Sequence, residues 1–325
     1  MTERRLRIHF VWTGRHFPYH ARLAVESAIV AEPDAAIEIH IVGEPPTTVD
    51  FEAVRRRPEV TTRWYTLPTL FERCPTGQGP LLDLVARIPD GAASAVSNLV
   101  RLAVLWERGG IYLDTDVLVR RRLTRPGEAG SFVGCELVWG QNRRRVAGAF
   151  GTREALRAIP WAVDWTGRRL DCRLTHGSIG LAARPPVGVR HQVNNAVIGA
   201  PAGSSFVRRA LDGALDTDPT VRYALGPSLL DDVARSHPAT VTVHPPSRYY
   251  AVPPGQSFRC FEDRTLTLPP DAHVMHYVAS NHRRLLRELR SDDVRFVNRS
   301  EPFWREARRV REQMRRTSDD RMLVR

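Results

Sequence analysis

The chain of 325 residues contains no lysine: all 48 residues of its lysine-plus-arginine count are arginine. Set against 36 acidic residues, they give a formal net charge of +12 and a pI near 10.6. A basic surface attracts nucleic acid, anionic membrane or acidic substrates. A chain-wide choice of arginine over lysine also fits coding composition, and the even spread of the arginines favours that reading. Zinc-finger spacing and a glycine-aromatic RNA-binding pattern are both missing, so no nucleic-acid partner is expected. Cysteine is scarce as well. Cys74, Cys135, Cys172 and Cys260 stand far apart without a C-x-x-C pair, which argues against a zinc site and a disulfide framework and leaves isolated buried thiols. No run approaches the ~20 apolar residues that a membrane span requires. Met1 to Phe10 lacks the apolar core and cleavage site of a secretory signal. The expectation is a cytoplasmic protein.

What is present reads as alternating strands and helices. Leu6 to Trp12 is rich in β-branched and aromatic residues and ends at Thr13-Gly14. His20 to Ala31 has apolar residues at helical spacing, and Ala36 to Val42 is a second strand. Strand, helix, strand at this spacing implies a mostly parallel sheet covered by helices. Val60 to Leu67 reads as a third strand. Ser94 to Arg108 is the clearest helix, stopped by Gly109-Gly110. Ile111-Tyr112-Leu113 is a short buried strand that delivers Asp114-Thr115-Asp116 at its end, where α/β sheets bind ligands. Val117 to Val119 continues it.

Residues 120 to 190 resist a periodic reading, broken by Pro126, Gly127, Gly130, Pro185 and Pro186. Later strands are expected at Ala196–Ala200, Thr240–Val243 and Ala272–Val278, with helices at Ser205–Leu215 and Pro227–Ser236. Glu301 to Arg315 reads as a basic helix with Phe303, Ala307, Val310 and Met314 on one side. That stripe suits docking on the domain, and peripheral membrane contact is the less favoured use. One domain over 1–290, with a variable 120–190 region, followed by a basic helix and tail over 291–325, fits this pattern.

Alternation along a strand would put Asp114 and Asp116 on one face. Two carboxylates that close repel unless a cation compensates. A hard divalent ion does so and can also hold phosphate oxygens. A bare D-x-D triplet is weak, but its context is not. Ser97-Asn98-Leu99-Val100-Arg101, then Trp106 through Val117, resembles the sugar-nucleotide motif of the DXD-containing glycosyltransferases. That group includes yeast-type initiating α-1,6-mannosyltransferases, lactosylceramide α-1,4-galactosyltransferases and the glucosyltransferase domains of large clostridial toxins. Ile8 to Gly14 resembles the toxin-type opening strand. Weaker similarity continues at Asn194-Asn195-Ala196, Gly226-Pro227, Tyr249-Tyr250 and His276 to Ser280.

The resemblance implies a GT-A fold, a Rossmann-like mixed sheet with flanking helices, and a retaining glycosyltransferase dependent on Mn²⁺ or Mg²⁺. By the same resemblance, Val11, Trp12, Ser97, Asn98, Arg101, Tyr112, Asp114, Thr115, Asn194 and Asn195 would bind the donor. Arg101, Asp114 and Asp116 would be catalytic, and Asp114, Asp116 and His276 would hold the metal, with His273 and His282 competing for the third place. Trp12 would stack on the nucleobase or serve as a core anchor; Tyr112 is equally a site residue or a packed aromatic. Asn98 stands where the family usually has aspartate, and Ser280-Asn281 where it has Ser-Trp, so the donor is open. A UDP-sugar is favoured over GDP-mannose on the Trp12 strand, and the acceptor is unknown. The alternative is a basic protein that binds nucleic acid or a membrane surface, with a merely structural Asp pair.

Overall fold

Parallel strands covered on both faces are apolar almost without a break, and the first two strands have this character: β1 (Arg7–Thr13) and β2 (Ala36–Val42) are buried along most of their length. The structure, a computed structural model, describes residues 5–126, 130–139, 152–184, 186 and 188–323, without the side chains of 152–161 and 318–323. The remaining strands are β3 (Val60–Tyr65), β4 (Gly110–Leu113), β5 (Val117–Val119), β6 (Ser131–Trp139), β7 (Val189–Ala200), β8 (Val241–His244) and β9 (Val274–His276). Seven form one sheet in the order β3-β2-β1-β4-β7-β6-β8, and β5 pairs with β9 in a separate ribbon. Within the sheet β7 alone runs against its neighbours.

Six helices matter for the site: α1 (Tyr19–Ala31), α2 (Ala93–Arg108), α3 (Thr152–Thr175), α4 (Ser205–Leu215), α5 (Leu229–Ser236) and α6 (Pro302–Leu323). One face of the sheet, with Ile8, Phe10, Ile37, Ile39 and Ile41, packs on α1 and on Phe303, Trp304, Ala307 and Val310 of α6. The other face, with Val11, Tyr112 and Ile198, packs on α2, α4 and α5. This is a mixed, mostly parallel sheet with helices on both faces. Among the described residues no helix is long and apolar enough to cross a membrane.

The structure departs from the sequence reading in two places. Val117 to Val119 does not extend β4: the chain turns at 115–116, and β5 leaves the sheet to pair with β9. The unreadable stretch holds strand β6 and helix α3, while residues 127–129, 140–151, 185 and 187 within it lie outside the described residues. Gly109 and Gly110 make the sharp passage from α2 into β4, at φ +59° and +117°. A Cβ at Gly109 would fall 2.4 Å from the Ala202 nitrogen, so no other residue fits.

At the start of β4, Glu38 ties three elements together. It accepts from Arg108 Nε at 2.7 Å and from Arg63 Nε at 2.8 Å. Beside it His9 Nε2 donates to the Gly109 carbonyl at 2.7 Å, and His9 Nδ1 accepts from His40 Nε2 at 3.0 Å. Burial pushes His9 down to about 4. Burial alone would raise Glu38, but hydrogen bonds from Arg108 and Arg63 overcome it and hold the carboxyl at about 2.

Both shifts act in one direction. Between the ordinary 6.5 of histidine and about 4, the unfolded chain takes up a proton that folded His9 refuses. Between the ordinary 4.5 of Glu38 and about 2, folded Glu38 likewise stays ionised. Stability therefore falls as pH is lowered. The urea midpoint is expected to drop steadily from about pH 7 to about pH 4. Glu38→Gln should cost about 2 kcal/mol at neutral pH, less than the ~3–5 of a fully buried pair because Arg63 reaches solvent. A flat midpoint across this range would contradict the assignment.

Candidate functional site

The site lies where β4 ends, and its first element is an arginine in an apolar helix face. Arg101 of α2 sits among Leu99, Val100, Leu102 and Ala103, and only 5% of it is exposed. A guanidinium so buried must be paired. Its Nη2 lies 3.0 Å from Asp114 Oδ1, its Nη1 donates to the Asn195 carbonyl at 2.6 Å, and its Cζ stacks 4.4 Å from the centre of the Tyr112 ring. Tyr112 Oη donates to the same Asp114 oxygen at 2.6 Å. Burial would lower the Arg101 pKa, but Asp114 more than compensates and raises it, so the charge persists. Burial pushes Asp114 up; Arg101 opposes this, and Asp116 adds to it.

The turn after Asp114 sends Asp116 elsewhere. Val117 N donates to the Asp114 carbonyl, and Asp116 meets the β5–β9 ribbon, where Val117 pairs with His276. Asp116 Oδ2 accepts from the Ala279 amide at 2.9 Å. Its Oδ1 is buried without a hydrogen-bond partner, with His276 Nε2 at 3.4 Å. Burial would raise Asp116, but His276 pulls it down to about 2. Burial would lower His276, and Asp116 carries it up to about 8 instead. His276 can give up its proton, and a buried carboxylate beside a neutral imidazole suits a divalent cation. His273 bonds the Arg122 carbonyl and His282 bonds Ser257, so neither faces Asp116. Asp114, drawn toward α2, does not complete a trio: among the described residues these three do not offer ligand atoms within 4.8 Å of one another.

A break in the sheet provides the third element. The β6–β7 register passes from Val133↔Ile198 to Gly134↔Asn194, leaving Asn195, Ala196 and Val197 unpaired with β6. Their backbone groups serve the site. The Asn195 carbonyl takes Arg101, the Ala196 carbonyl takes Asp114 N, and Val197 N donates to Tyr250 Oη. Asn195 Nδ2 also donates to Asn98 Oδ1 at 2.8 Å, and Gly226 lies against both amides. Ser97 is half-buried and hydrogen-bonds Tyr112.

Other expected residues divide between site and core. Trp12 is half-buried near the end of β1, edge-on to Phe17 at 5.0 Å, with its Nε1 donating to the Gly14 carbonyl. Val11 points into the core with α2. Thr115 is half-buried in the turn, its carbonyl accepting from Tyr277 Oη. Asn194 is buried, its Oδ1 accepting from Ala196 N. Two residues escape the sequence reading. His20 of α1 is held down to about 4 by burial and lies within electrostatic reach of Asp116. Glu136 of β6 is 4% exposed, and burial raises its carboxyl to about 7 against a hydrogen bond with Asn194. No sequence motif marks either.

A second set of converging donors, His9, Glu38 and His40, lies within 4.8 Å but at the start of β4. Glu38 already carries two guanidiniums, and the imidazoles bond each other. A cation there would have to displace both arginines.

Residues 20–133 match the family described as the glycosyltransferase sugar-binding region containing the DXD motif. No curated protein matches the sequence. Among solved structures, the PaToxG glycosyltransferase is similar at 16% identity, over 72% of this chain and 70% of that one, with a TM-score of 0.43. The UDP-bound glycosyltransferase domain of the YGT toxin shows 12% identity over 74% and 79%, with a TM-score of 0.40. The galactosyltransferase LgtC with donor and acceptor sugar analogs shows 14% identity over 75% of each chain, with a TM-score of 0.36. These likenesses are distant. The matched region contains the triplet Asp114-Thr115-Asp116.

The Gly226 contact is testable by itself. A Cβ there would lie 2.6 Å from Asn98 Nδ2 and 2.9 Å from Asn195 Nδ2. Gly226→Ala is expected to separate the two amides at a cost of about 1–3 kcal/mol. The lower denaturation midpoint should come with shifted side-chain amide resonances of Asn98 and Asn195. Unshifted resonances would mean that the pair does not depend on the glycine.

Proposed function

We propose that the chain is a retaining, metal-dependent glycosyltransferase that moves a sugar from a nucleoside diphosphate to an acceptor hydroxyl. A UDP-sugar is the favoured donor, GDP-mannose the alternative, and the acceptor is a glycan, a protein or a natural product. One observation carries this reading: within a matched DXD region, Asp114 is saturated on one side by Arg101 and Tyr112, while Asp116 turns its buried Oδ1 to the His276 imidazole.

The two carboxylates then have different tasks. Asp116 and His276 would hold Mn²⁺ or Mg²⁺, whose charge would offset that building on the departing diphosphate. Asp114 presents its second oxygen to ribose or sugar hydroxyls. Arg101 fixes Asp114 rather than reaching the diphosphate itself, since its donors are taken by Asp114 and Asn195. Trp12 offers a ring face to the base, and Val11 and Thr115 contribute main chain beside it. Asn98 and Asn195 address the sugar, with Ser97, Tyr112 and Asn194 behind them. Residues 120–190, including Trp139, Trp165 and His176, form the acceptor side; the side chain of Trp161 lies outside the described residues. We keep 1–290 as the catalytic unit, with 291–325 as its basic C-terminal extension, and assign the activity to the cytoplasm. A membrane-binding role for α6 is disfavoured because its apolar stripe is buried against the domain.

Asp116→Asn should lower Mn²⁺-dependent hydrolysis of a sugar nucleotide by more than about 100-fold. The fold should survive, since asparagine keeps the size and the Ala279 contact and His276 can turn neutral. Full turnover at saturating Mn²⁺ would sink the metal assignment.

Asn98 tests donor choice. Its Oδ1 is taken by Asn195, which leaves its Nδ2, on the Gly226 side, as the group to meet a ligand. Asn98→Asp keeps the bond to Asn195 and replaces that donor with an acceptor. A buried mismatch costs about 1–3 kcal/mol, so the kcat/KM ratios among UDP-glucose, UDP-galactose, UDP-N-acetylglucosamine and GDP-mannose should shift about ten- to a hundredfold. Equal losses on all four would show that Asn98 does not read the sugar.

A further inference from the structure

Among the described residues, Glu136 is the one carboxylate near the DXD turn to which no task has been given. β6 and β4 both run against β7, so they point the same way, and Glu136 lies beyond the level of Gly134 toward the end at which β4 releases Asp114. The face of β6 it occupies is defined by contact: a Cβ on Gly134 would come within 2.6 Å of the Tyr250 ring. Glu136, two residues on, shares that face. Tyr250 lies 5.6 Å from His276, ring centre to ring centre, and is within electrostatic reach of both Glu136 and Asp114. The carboxyl thus neighbours the Asp pair through the Tyr250 and His276 rings.

Its hydrogen bonding is incomplete. Asn194 satisfies one oxygen, and Oε2 is buried without a partner. Folds rarely leave a buried carboxylate oxygen unmatched, and those that persist tend to be completed by a ligand. A glutamine would keep the shape and the Asn194 contact without burying a charge, so stability alone does not account for glutamate here.

Resting on the glycosyltransferase reading, we infer that Glu136 Oε2 accepts a hydrogen bond from a hydroxyl of the bound carbohydrate. That hydroxyl belongs either to the transferred sugar or to the acceptor. In its ionised form the carboxyl accepts from that hydroxyl without donating. Asn194 is the positioning residue for Glu136, which couples this carboxyl to the irregular segment of β7.

The test compares wild type with Glu136→Gln and Glu136→Asp. Three quantities are measured with Mn²⁺ present: UDP affinity by calorimetry, hydrolysis of a UDP-sugar without acceptor, and transfer to an acceptor. UDP affinity should be unchanged in both variants, and Glu136→Gln should melt at the same temperature or higher. If the hydroxyl is on the donor sugar, hydrolysis and transfer both fall at least tenfold in kcat/KM. If it is on the acceptor, hydrolysis holds while transfer falls and the acceptor KM rises. Glu136→Asp, with the charge kept but drawn back by one methylene, should recover part of the loss. Unchanged hydrolysis and transfer in Glu136→Gln would overturn the role and leave the glycosyltransferase reading standing. A lowered melting temperature with unchanged activity per folded molecule would mark Glu136 as structural. A wild-type chain that binds no UDP and hydrolyses no sugar nucleotide would overturn both.

Discussion

The buried ion pair between Arg101 and Asp114 is the interaction on which the rest of the site depends. An arginine inside an apolar helix face would be intolerable alone. Its presence forces the end of β4 toward α2 and fixes which way Asp114 points. Tyr112 and the Asn195 carbonyl complete the same shell. With Asp114 so held, the next residues cannot continue the strand, and the turn hands Asp116 to the β5–β9 ribbon. The two aspartates are therefore close in sequence but anchored to different layers of the protein. One is part of a hydrogen-bonded core with α2, and the other faces the His276 imidazole of the ribbon.

Much of this is legible in the amino-acid sequence. β1, α1, β2 and α2 announce themselves through strong apolar periodicity and glycine stops, because each buries a continuous face. The DXD motif stands out by its context, whereas which of His273, His276 and His282 faces Asp116 is decided by the β5–β9 pairing. Strand alternation misplaces Asp114 and Asp116, since β4 is only four residues long and the turn overrides strand parity. β6 is hidden for a related reason. Its Gly134 is required by the Tyr250 ring and its Glu136 sits at the site, so neither residue obeys the propensity of a strand.

Arginine use shows a similar split between pattern and context. Along the sequence the arginines look evenly scattered, and most of those described are at least partly exposed. A few are structural keystones: Arg108 and Arg63 on Glu38, and Arg101 on Asp114. Nothing in their local sequence separates these from the rest except apolar flanks at Arg101. Most of the distinguishing contacts link positions tens of residues apart, which only the assembled sheet brings together.

The unpaired stretch of β7 has a mechanical meaning. Asn195 and Ala196 are joined, through three separate bonds, to Asn98, to Arg101 and to the Asp114 amide. The stretch is short and irregular, so it cannot absorb a displacement at one of these points by sliding along a ladder. A shift imposed at Asn98 is carried by two consecutive peptide units to Asp114. Under the proposed function, a ligand group at Asn98 and one at Asp114 would then be sensed as one object.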